Sequence, residues 1–364
     1  MNPRDDSKYM AMAMQLALKA QGQTSPNPLV GAVIVKNNQV IAQGFHRRCG
    51  LDHAEVDALK KAKARAQGAT LYVTLEPCGH FGRTPPCIQA IIESGIKEVV
   101  VGTKDPNPVN NGKSIRALNR AGIKTRVGVL ESDLRKMNES FFKFIRHQMP
   151  FIVIKCAQTL DGKVATATGS SKWITSQKTR ALSHRLRDQF DAILVGINTV
   201  VKDNPYLDGS SKQKKLKKII LDPSLRISLN ANVFKHALPS HVIVATIAKA
   251  SRSKIAQLKA KGIDVILCPT TKKGIDLKWF FKQIALKEIT SVLVEGGSRT
   301  AQAILSQGFA DKIWIFMAPK IIGDQEALSA YDGLNIKDIN KALQLKRVNV
   351  QLLGEDMFIE GYLK

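Results

Sequence analysis

His53-Ala54-Glu55, Cys78 and Cys87 put one imidazole, two thiols and one carboxylate into a short stretch of chain. A catalytic zinc ion takes three protein ligands through nitrogen or sulfur and keeps a fourth position for water. His53, Cys78 and Cys87 supply that set as metal ligands, and Glu55 is left for proton transfer. Residues i and i+2 point apart in mid-helix, so His53 and Glu55 can serve one ion only where a helix begins. There His53 ligates while Glu55 reaches over the bound water. Pro86-Cys87 also reads as a helix opening, where proline is tolerated and a thiolate is stabilised. Such a metal makes hydroxide available near neutral pH for attack on a ring carbon that bears an amine. Glu55 would then be the catalytic residue, moving the water's proton to the ring nitrogen and the leaving ammonia. The competing reading is that His53 caps a helix and both thiols are inert.

Two further segments fit a pocket around that metal. Ser25-Pro26-Asn27-Pro28-Leu29-Val30-Gly31 is a rigid turn entering a strand, and its Asn27 amide can read a pyrimidine edge; an ordinary Pro-Asn turn is the alternative. Gly44-Phe45-His46 leaves a histidine at the end of a hairpin, where a structural role is the alternative. Cys49 lies near His53, but the ligand set is complete without it. In the second half, Val294-Glu295-Gly296-Gly297-Ser298-Arg299-Thr300 reads as strand, glycine pair and helix. That order aims free backbone N–H groups at a phosphate, with Arg299 adding charge. It is not the GxGxxG fingerprint, so no Rossmann domain follows from it. KCAQTLDGK (155–163), KWITS (172–176), GINTV (196–200) and DNPYL (203–207) are each no more than turn chemistry when taken singly.

The elements that must position these residues form two alternating series. Tyr9–Gln21 reads as a helix, and GAVIVKNNQVIAQGF as two strands joined at Asn37-Asn38. Glu55–Gln67 reads as a helix and Thr70–Leu75 as a buried strand. A helix over Pro86–Ser94, a strand over Glu98–Val101, a helix over Ser114–Ala121 and a strand over Thr125–Val129 follow. This predicts an α/β layered domain with a mixed sheet over residues 1–148. After HQMP (147–150) come a strand at Phe151–Ala157, a basic helix at Gln177–Phe190 and a strand at Ala192–Val195. The apolar runs KIIL, HVIVAT, IDVIL, SVLVEGG and KIWIFMAP, with one or two closing strands in Leu343–Tyr362, complete a second α/β domain expected over 149–364.

At 364 residues the chain exceeds what one core usually serves, which agrees with two domains. Hydrophobic content of 44% with 23% charged residues is that of a globular protein, and no run is long enough to span a membrane. The start, MNPRDDSKYM, lacks the apolar region of a signal peptide, and five cysteines in so long a chain make no secreted disulfide framework. A cytoplasmic enzyme with no membrane partner is expected. Lys plus Arg number 55 against 30 Asp plus Glu, a formal +25, which suits nucleic acid, phosphorylated metabolites or a dinucleotide, and equally a merely solvated basic surface. The densest cluster, KQKKLKK at Lys212–Lys218, reads as an exposed loop running into a strand.

SPNPLVG, GFH, HAE and EPCGHFGRTPPC together resemble the deaminase domain of the bifunctional riboflavin-biosynthesis deaminase–reductases. His-x-Glu followed by Pro-Cys and a second cysteine is the pattern of zinc-dependent nucleobase deaminases. The eight residues between Cys78 and Cys87, with GRTPPC at their end, resemble the riboflavin branch specifically, because most other deaminases space the cysteines by two. The resemblance implies a cytidine-deaminase-like fold, with Asn27, His46 and Glu55 on the pyrimidine; His80, Arg83 and Thr84 fall in the inserted loop, where position and charge suit the ribose phosphate. The later segments resemble, in order, the dihydrofolate-reductase-like C-terminal domain of the same family, which uses NADPH. This implies substrate contacts by Lys155, Ser171, Arg187, Leu207 and Glu295. It also implies cofactor contacts by Ala157, Trp173, Thr199, Asp203, Gly297, Ser298, Arg299 and Thr300. One departure stands out: the family usually carries an arginine shortly after Asp-x-Pro-x-Leu, and here the chain reads DGSSKQKK, with Lys212 as a replacement point charge.

The implied activity is zinc-dependent deamination of 2,5-diamino-6-ribosylamino-4(3H)-pyrimidinone 5′-phosphate, then NADPH-dependent reduction of the ribosyl side chain to ribityl, in a homo-oligomer, a dimer or tetramer. Two rivals remain at this point. A deaminase of tRNA or single-stranded DNA would also suit the charge, although the long cysteine spacing and the second α/β half oppose it. A structural zinc protein would need a fourth ligand to close its site.

Overall fold

The computed structural model describes residues 3–81, 85–211, 216–272 and 274–363. Arg83, Thr84 and Lys212 lie outside the described residues. The chain divides into two compact units, Met1–Gln148 and Met149–Lys364. No helix among the described residues is long and apolar enough to cross a membrane.

The first unit runs α1 (Pro3–Leu18), β1 (Gly31–Lys36), β2 (Gln39–Phe45), α2 (Ala54–Ala62), β3 (Thr70–Leu75), α3 (Cys87–Glu93), β4 (Glu98–Thr103), α4 (Lys113–Arg120), β5 (Lys124–Val127), α5 (Glu131–Met137) and α6 (Glu139–His147). Its sheet has the order β2-β1-β3-β4-β5, antiparallel at β2-β1-β3 and parallel beyond. The turn between β1 and β2 is Asn37-Asn38, both at positive φ, as a two-residue hairpin turn requires. Side chains alternate between the faces. Ala32, Ile34, Leu71, Val73, Val99 and Val101 pack with α2 and α3 residues such as Ala58 and Ile91. Val33, Val35, Tyr72 and Val100 meet Tyr9, Met10 and Ala13 of α1. Every one of these strand residues is buried, so the sheet carries near-continuous apolar runs between two helical layers. Any side chain at Gly31 would overlap the backbone of α1 at Ala13, and that close approach seats α1 on the sheet.

The second unit runs β6 (Phe151–Thr159), β7 (Lys163–Ala165), α7 (Gln177–Arg187), β8 (Ala192–Gly196), α8 (Ile197–Asp203), β9 (Lys217–Leu221), β10 (Val242–Ile247), α9 (Arg252–Ala260), β11 (Asp264–Cys268), the short β12 (Thr270–Thr271) and β13 (Gly274–Ile275), α10 (Leu277–Leu286), β14 (Ser291–Glu295), α11 (Ser298–Ser306), β15 (Lys312–Ala318), β16 (Leu328–Ser329), β17 (Lys346–Leu353) and β18 (Asp356–Tyr362). A nine-stranded sheet has the order β11-β10-β9-β8-β14-β6-β15-β18-β17. It is parallel from β11 to β15 and antiparallel at β18 and β17. Ile152 and Ile154 of β6 feed one core and Phe151 and Val153 the other, so both faces are covered. The interior strand β6 lies between β14 and β15, both from much later in the chain, and crevices at the C-terminal ends of such parallel strands are where α/β sheets hold ligands.

Three sequence expectations change here. The first helix begins at Pro3 rather than near Tyr9, and α5 and α6 occupy a stretch without a predicted element. The basic run 212–218 is not all solvated: Lys218 lies inside β9, 2% exposed, with its ammonium 2.7 Å from Asp208 Oδ1.

Candidate active site

In the first unit, His53 is the residue before α2, with extended backbone, and Glu55 stands in the first helical turn. Pro86 precedes α3, also extended, and Cys87 is its first helical residue, so proline sits one place earlier than a first-turn position. Cys78 comes from the loop after β3. His53 Nδ1 is 3.1 Å from Cys87 Sγ and 3.5 Å from Cys78 Sγ, and the two sulfurs are 3.4 Å apart. A tetrahedral zinc ion with one nitrogen and two sulfur ligands needs donor separations of about 3.5–3.8 Å. The triangle matches within a few tenths of an ångström, and Cys49 is not part of it.

The electrostatics of the triangle are set by its own hydrogen bonds and burial. Cys78 is drawn down to about 4, first by its hydrogen bond with the Cys87 thiol, with further help from His53 and the Cys87 backbone N–H 3.2 Å from its sulfur. The same bond, together with burial, pushes the Cys87 thiol up. One negative charge is therefore tolerated without an ion, and a divalent cation would let both thiols ionise. His53 is raised, first by its bond to Cys78. Glu55, 3% exposed, is pushed up to about 7 by burial and then by Cys78.

Asn27 and His46 join this group. The His46 ring stands edge-on to His53, centroids 5.2 Å apart, and its Nε2 lies 3.1 Å from Asn27 Nδ2. His46 Nδ1 is 3.0 Å from the Asp52 carbonyl, an acceptor only, so Nδ1 carries the proton and Nε2 accepts from the Asn27 amide. Burial lowers the His46 pKa, which favours this neutral form. His80 is half-buried, and its Nδ1 has no hydrogen-bond partner among the described residues.

In the second unit, Lys155 and Glu295 are direct neighbours across β6 and β14. Arg187 grips Glu295 with two bonds of 2.8 Å and donates a third, of 2.7 Å, to the Asp208 carbonyl beside Leu207. Leu207 is buried with φ +58°. Arg187 and Lys155 hold Glu295 down to about 2 against its burial, so it is a carboxylate at any physiological pH. Thr199 opens α8 against the Gly296-Gly297 turn, where a Cβ on Gly296 would meet Thr199 Oγ1 at 3.1 Å, and a Cβ on Gly196 would overlap Thr300 Oγ1. Gly296 and Gly297 take φ +78° and +74°, which glycine alone adopts without strain, and Ser298 and Arg299 follow in the first turn of α11. Ala157 lies on β6 beside Phe316. Trp173 is exposed under the Arg180 guanidinium, 4.3 Å away, and its carbonyl accepts from Lys320 Nζ at 2.9 Å. Ser171 precedes it, half-buried, and Asp203 ends α8 exposed; no contact ties either one to the cluster among the described residues.

Three groups received no role from the sequence reading. Asp208 joins Lys218 and His236, and Asp161 accepts from the N–H groups of Ile322 and Gly323. Glu76 and Asn110 fold around the Cys78 loop. Only Asp105-Pro-Asn-Pro, a turn signal, hints at the third.

The family model of the cytidine and deoxycytidylate deaminase zinc-binding region matches residues 3–103, and that of the RibD C-terminal domain matches residues 150–359. The riboflavin biosynthesis protein RibD of Aquifex aeolicus is 48% identical over 356 residues, 97% of each chain. The chain belongs to the bifunctional riboflavin-biosynthesis deaminase–reductases. The RibD of Escherichia coli is 36% identical, covering 97% of this chain and 98% of the relative. Among solved structures, Acinetobacter baumannii RibD superposes with a TM-score of 0.89 at 34% identity over 99% of both chains. The Thermotoga maritima diaminohydroxyphosphoribosylaminopyrimidine deaminase/5-amino-6-(5-phosphoribosylamino)uracil reductase gives 0.87 at 37% identity, again over 99% of both. The fold class expected from sequence, a cytidine-deaminase-like domain followed by the family's reductase domain, is thereby shown.

Proposed function

We propose that residues 1–148 deaminate 2,5-diamino-6-ribosylamino-4(3H)-pyrimidinone 5′-phosphate and that residues 149–364 reduce the ribosyl side chain of the product with NADPH. The observation that carries the reading is the His53–Cys78–Cys87 triangle with a buried carboxylate beside it, in a chain of this family from end to end. Zinc held by those three would supply a Lewis acid and a water acidified to near neutral pH. Asn27 and the Asn27-oriented His46 bind the pyrimidine. Glu55 takes one proton from the attacking water and gives it to the ring nitrogen, then takes the second from the added hydroxyl and gives it to the leaving amine, so that water and the amine become a carbonyl and ammonia.

In the second unit NADPH would supply hydride, held by Gly297, Ser298, Arg299, Thr300 and Thr199, with Ala157, Trp173 and Asp203 as further contacts. Glu295 is fixed as a carboxylate and so accepts hydrogen bonds from sugar hydroxyls; it is no proton donor. Lys155, alongside it, is the cation left to supply a proton, with Arg187, Ser171 and Leu207 completing the substrate pocket. His80, Arg83 and Thr84 complete the reading as contacts to the ribose phosphate in the first unit. The reading includes a cytoplasmic location, supported by five cysteines free of disulfides, and no nucleic-acid partner. It also includes a dimer or tetramer, supported by the exposed Val348, Val350 and Leu352 on the edge strand β17.

The test follows ammonia release and NADPH oxidation separately on the phosphorylated diaminopyrimidine. Glu55→Gln with zinc retained should abolish ammonia release yet still oxidise NADPH when given the deaminated intermediate. Full ammonia release by that variant would overturn the assignment of Glu55.

A further inference from the structure

The loop that carries Cys78 is gripped by a side chain with no assigned role. Asn110, 1% exposed, lies in the segment between β4 and α4. Its Nδ2 donates to the Pro77 carbonyl and to Asp105 Oδ2, both at 3.1 Å. Its Oδ1 accepts from the Gly79 N–H at 3.1 Å and from the Ser114 hydroxyl at 2.5 Å. These four bonds use both donors and both acceptor positions of the amide, and a flipped amide would face the Pro77 carbonyl and the Asp105 carboxylate with oxygen. The orientation is therefore fixed. Pro77 and Gly79 flank Cys78, so one amide holds the peptide groups on both sides of the sulfur-bearing residue.

The grip is locked from two directions. Glu76 Oε2 accepts from the backbone N–H groups of Asp105 (3.2 Å) and Gly112 (2.9 Å), which folds the 105–112 segment around the start of the Cys78 loop. Gly79 also lies close to α4: a Cβ there would stand 2.5 Å from Ser114 Oγ. With both flanking peptides fixed, Cys78 has little backbone freedom and its sulfur keeps one direction toward His53 and Cys87.

We propose that Asn110 is a positioning residue of the metal centre, setting the direction of the Cys78 sulfur through the Pro77 carbonyl and the Gly79 N–H. The inference rests on the reading of His53, Cys78 and Cys87 as a zinc site. Outer-shell groups that orient a ligand typically change metal affinity 10–100-fold when removed.

The test uses the full chain. Zinc affinity is measured by competition with a chromogenic chelator, and the cobalt(II)-substituted protein is read by its thiolate-to-metal and d–d absorption. Asn110→Ala should weaken zinc by about 10–100-fold and shift the cobalt bands, with the far-ultraviolet dichroism kept. Asn119→Ala, on the exposed side of α4, should move neither reading. Should Asn110→Ala fail to fold, Asn110→Asp decides: it keeps the size and the acceptor for Gly79 but loses the donor to Pro77, and it too should weaken zinc and shift the bands. Wild-type affinity and unchanged bands in the folded variant overturn the inference. Wild-type protein that binds no zinc, or that binds it equally after Cys78→Ser, would instead overturn the zinc reading itself.

Discussion

Arg187→Met would leave Glu295 buried without its main counter-charge. The two side chains are only 12% and 9% exposed, and the paired bonds are 2.8 Å each. Glu295 lies at about 2 against an ordinary 4.5, a difference worth roughly 3 kcal/mol of stability at neutral pH. Removing one partner of a buried pair costs about 3–5 kcal/mol by general experience, in the same range. For a unit of this size that means a fall in melting temperature of about 6–20 °C. The assay is direct because Trp173, Trp279 and Trp314 are the chain's three tryptophans and all lie in the second unit, so their fluorescence reports its unfolding. The sign with pH follows from the depressed carboxylate. In the wild type the pair's contribution is complete above pH 4.5 and lost as pH falls toward 2. In Arg187→Met, burial dominates and raises the Glu295 pKa, so the variant is weakest relative to wild type near pH 7, and the gap narrows on acidification. Adding Glu295→Gln should recover much of the loss at neutral pH. An Arg187→Met midpoint within about 0.5 kcal/mol of wild type at pH 7, or a gap that widens toward pH 3, refutes the reasoning.

Stripping zinc with a chelator should stop ammonia release while the second unit still oxidises NADPH when supplied with the deaminated intermediate; loss of both reactions would contradict separate sites. Gly196→Ala drives a methyl into Thr300 Oγ1, so it should raise the Kd for NADPH about tenfold, and Thr300→Ser should not relieve it because the hydroxyl remains; calorimetry reads both. Asp161 is held down to about 2, first by the Thr159 hydroxyl and then by the Gly323 and Ile322 N–H groups. Asp161→Asn should speed hydrogen exchange at those two amides, and unchanged exchange would show the loop is held by something else.

Much of the architecture was legible because it is written locally. Asn37-Asn38 between alternating apolar residues identifies the first hairpin, and TLYVTL predicts β3 to the residue. The metal triangle was legible for a chemical reason: few other arrangements of histidine, glutamate and two cysteines make sense at helix openings. What escaped depends on distant partners. Lys218 sits in a run of lysines that looks solvated, and its burial is tolerable because its ammonium meets the Asp208 carboxylate and the Lys235 carbonyl. Asn110 resembles any loop asparagine until Pro77 and Gly79 arrive beside it. Asp6 near the start of α1 looks like one more polar residue, yet it is buried and meets Tyr72 and Arg126 on the sheet.

The position of β6 bears on how the chain is made. Phe151 pairs opposite Ser291 and Val153 opposite Lys312, so this interior strand leaves the ribosome long before either neighbour exists. Until then both edges of an apolar strand are open to any extended segment that comes near. The first unit has no such wait, since β1 finds β2 within a hairpin and β3 soon after. It can finish folding while the second is still being synthesised, which makes the nascent second half the stage at which chaperone supply and temperature would decide the yield of this enzyme.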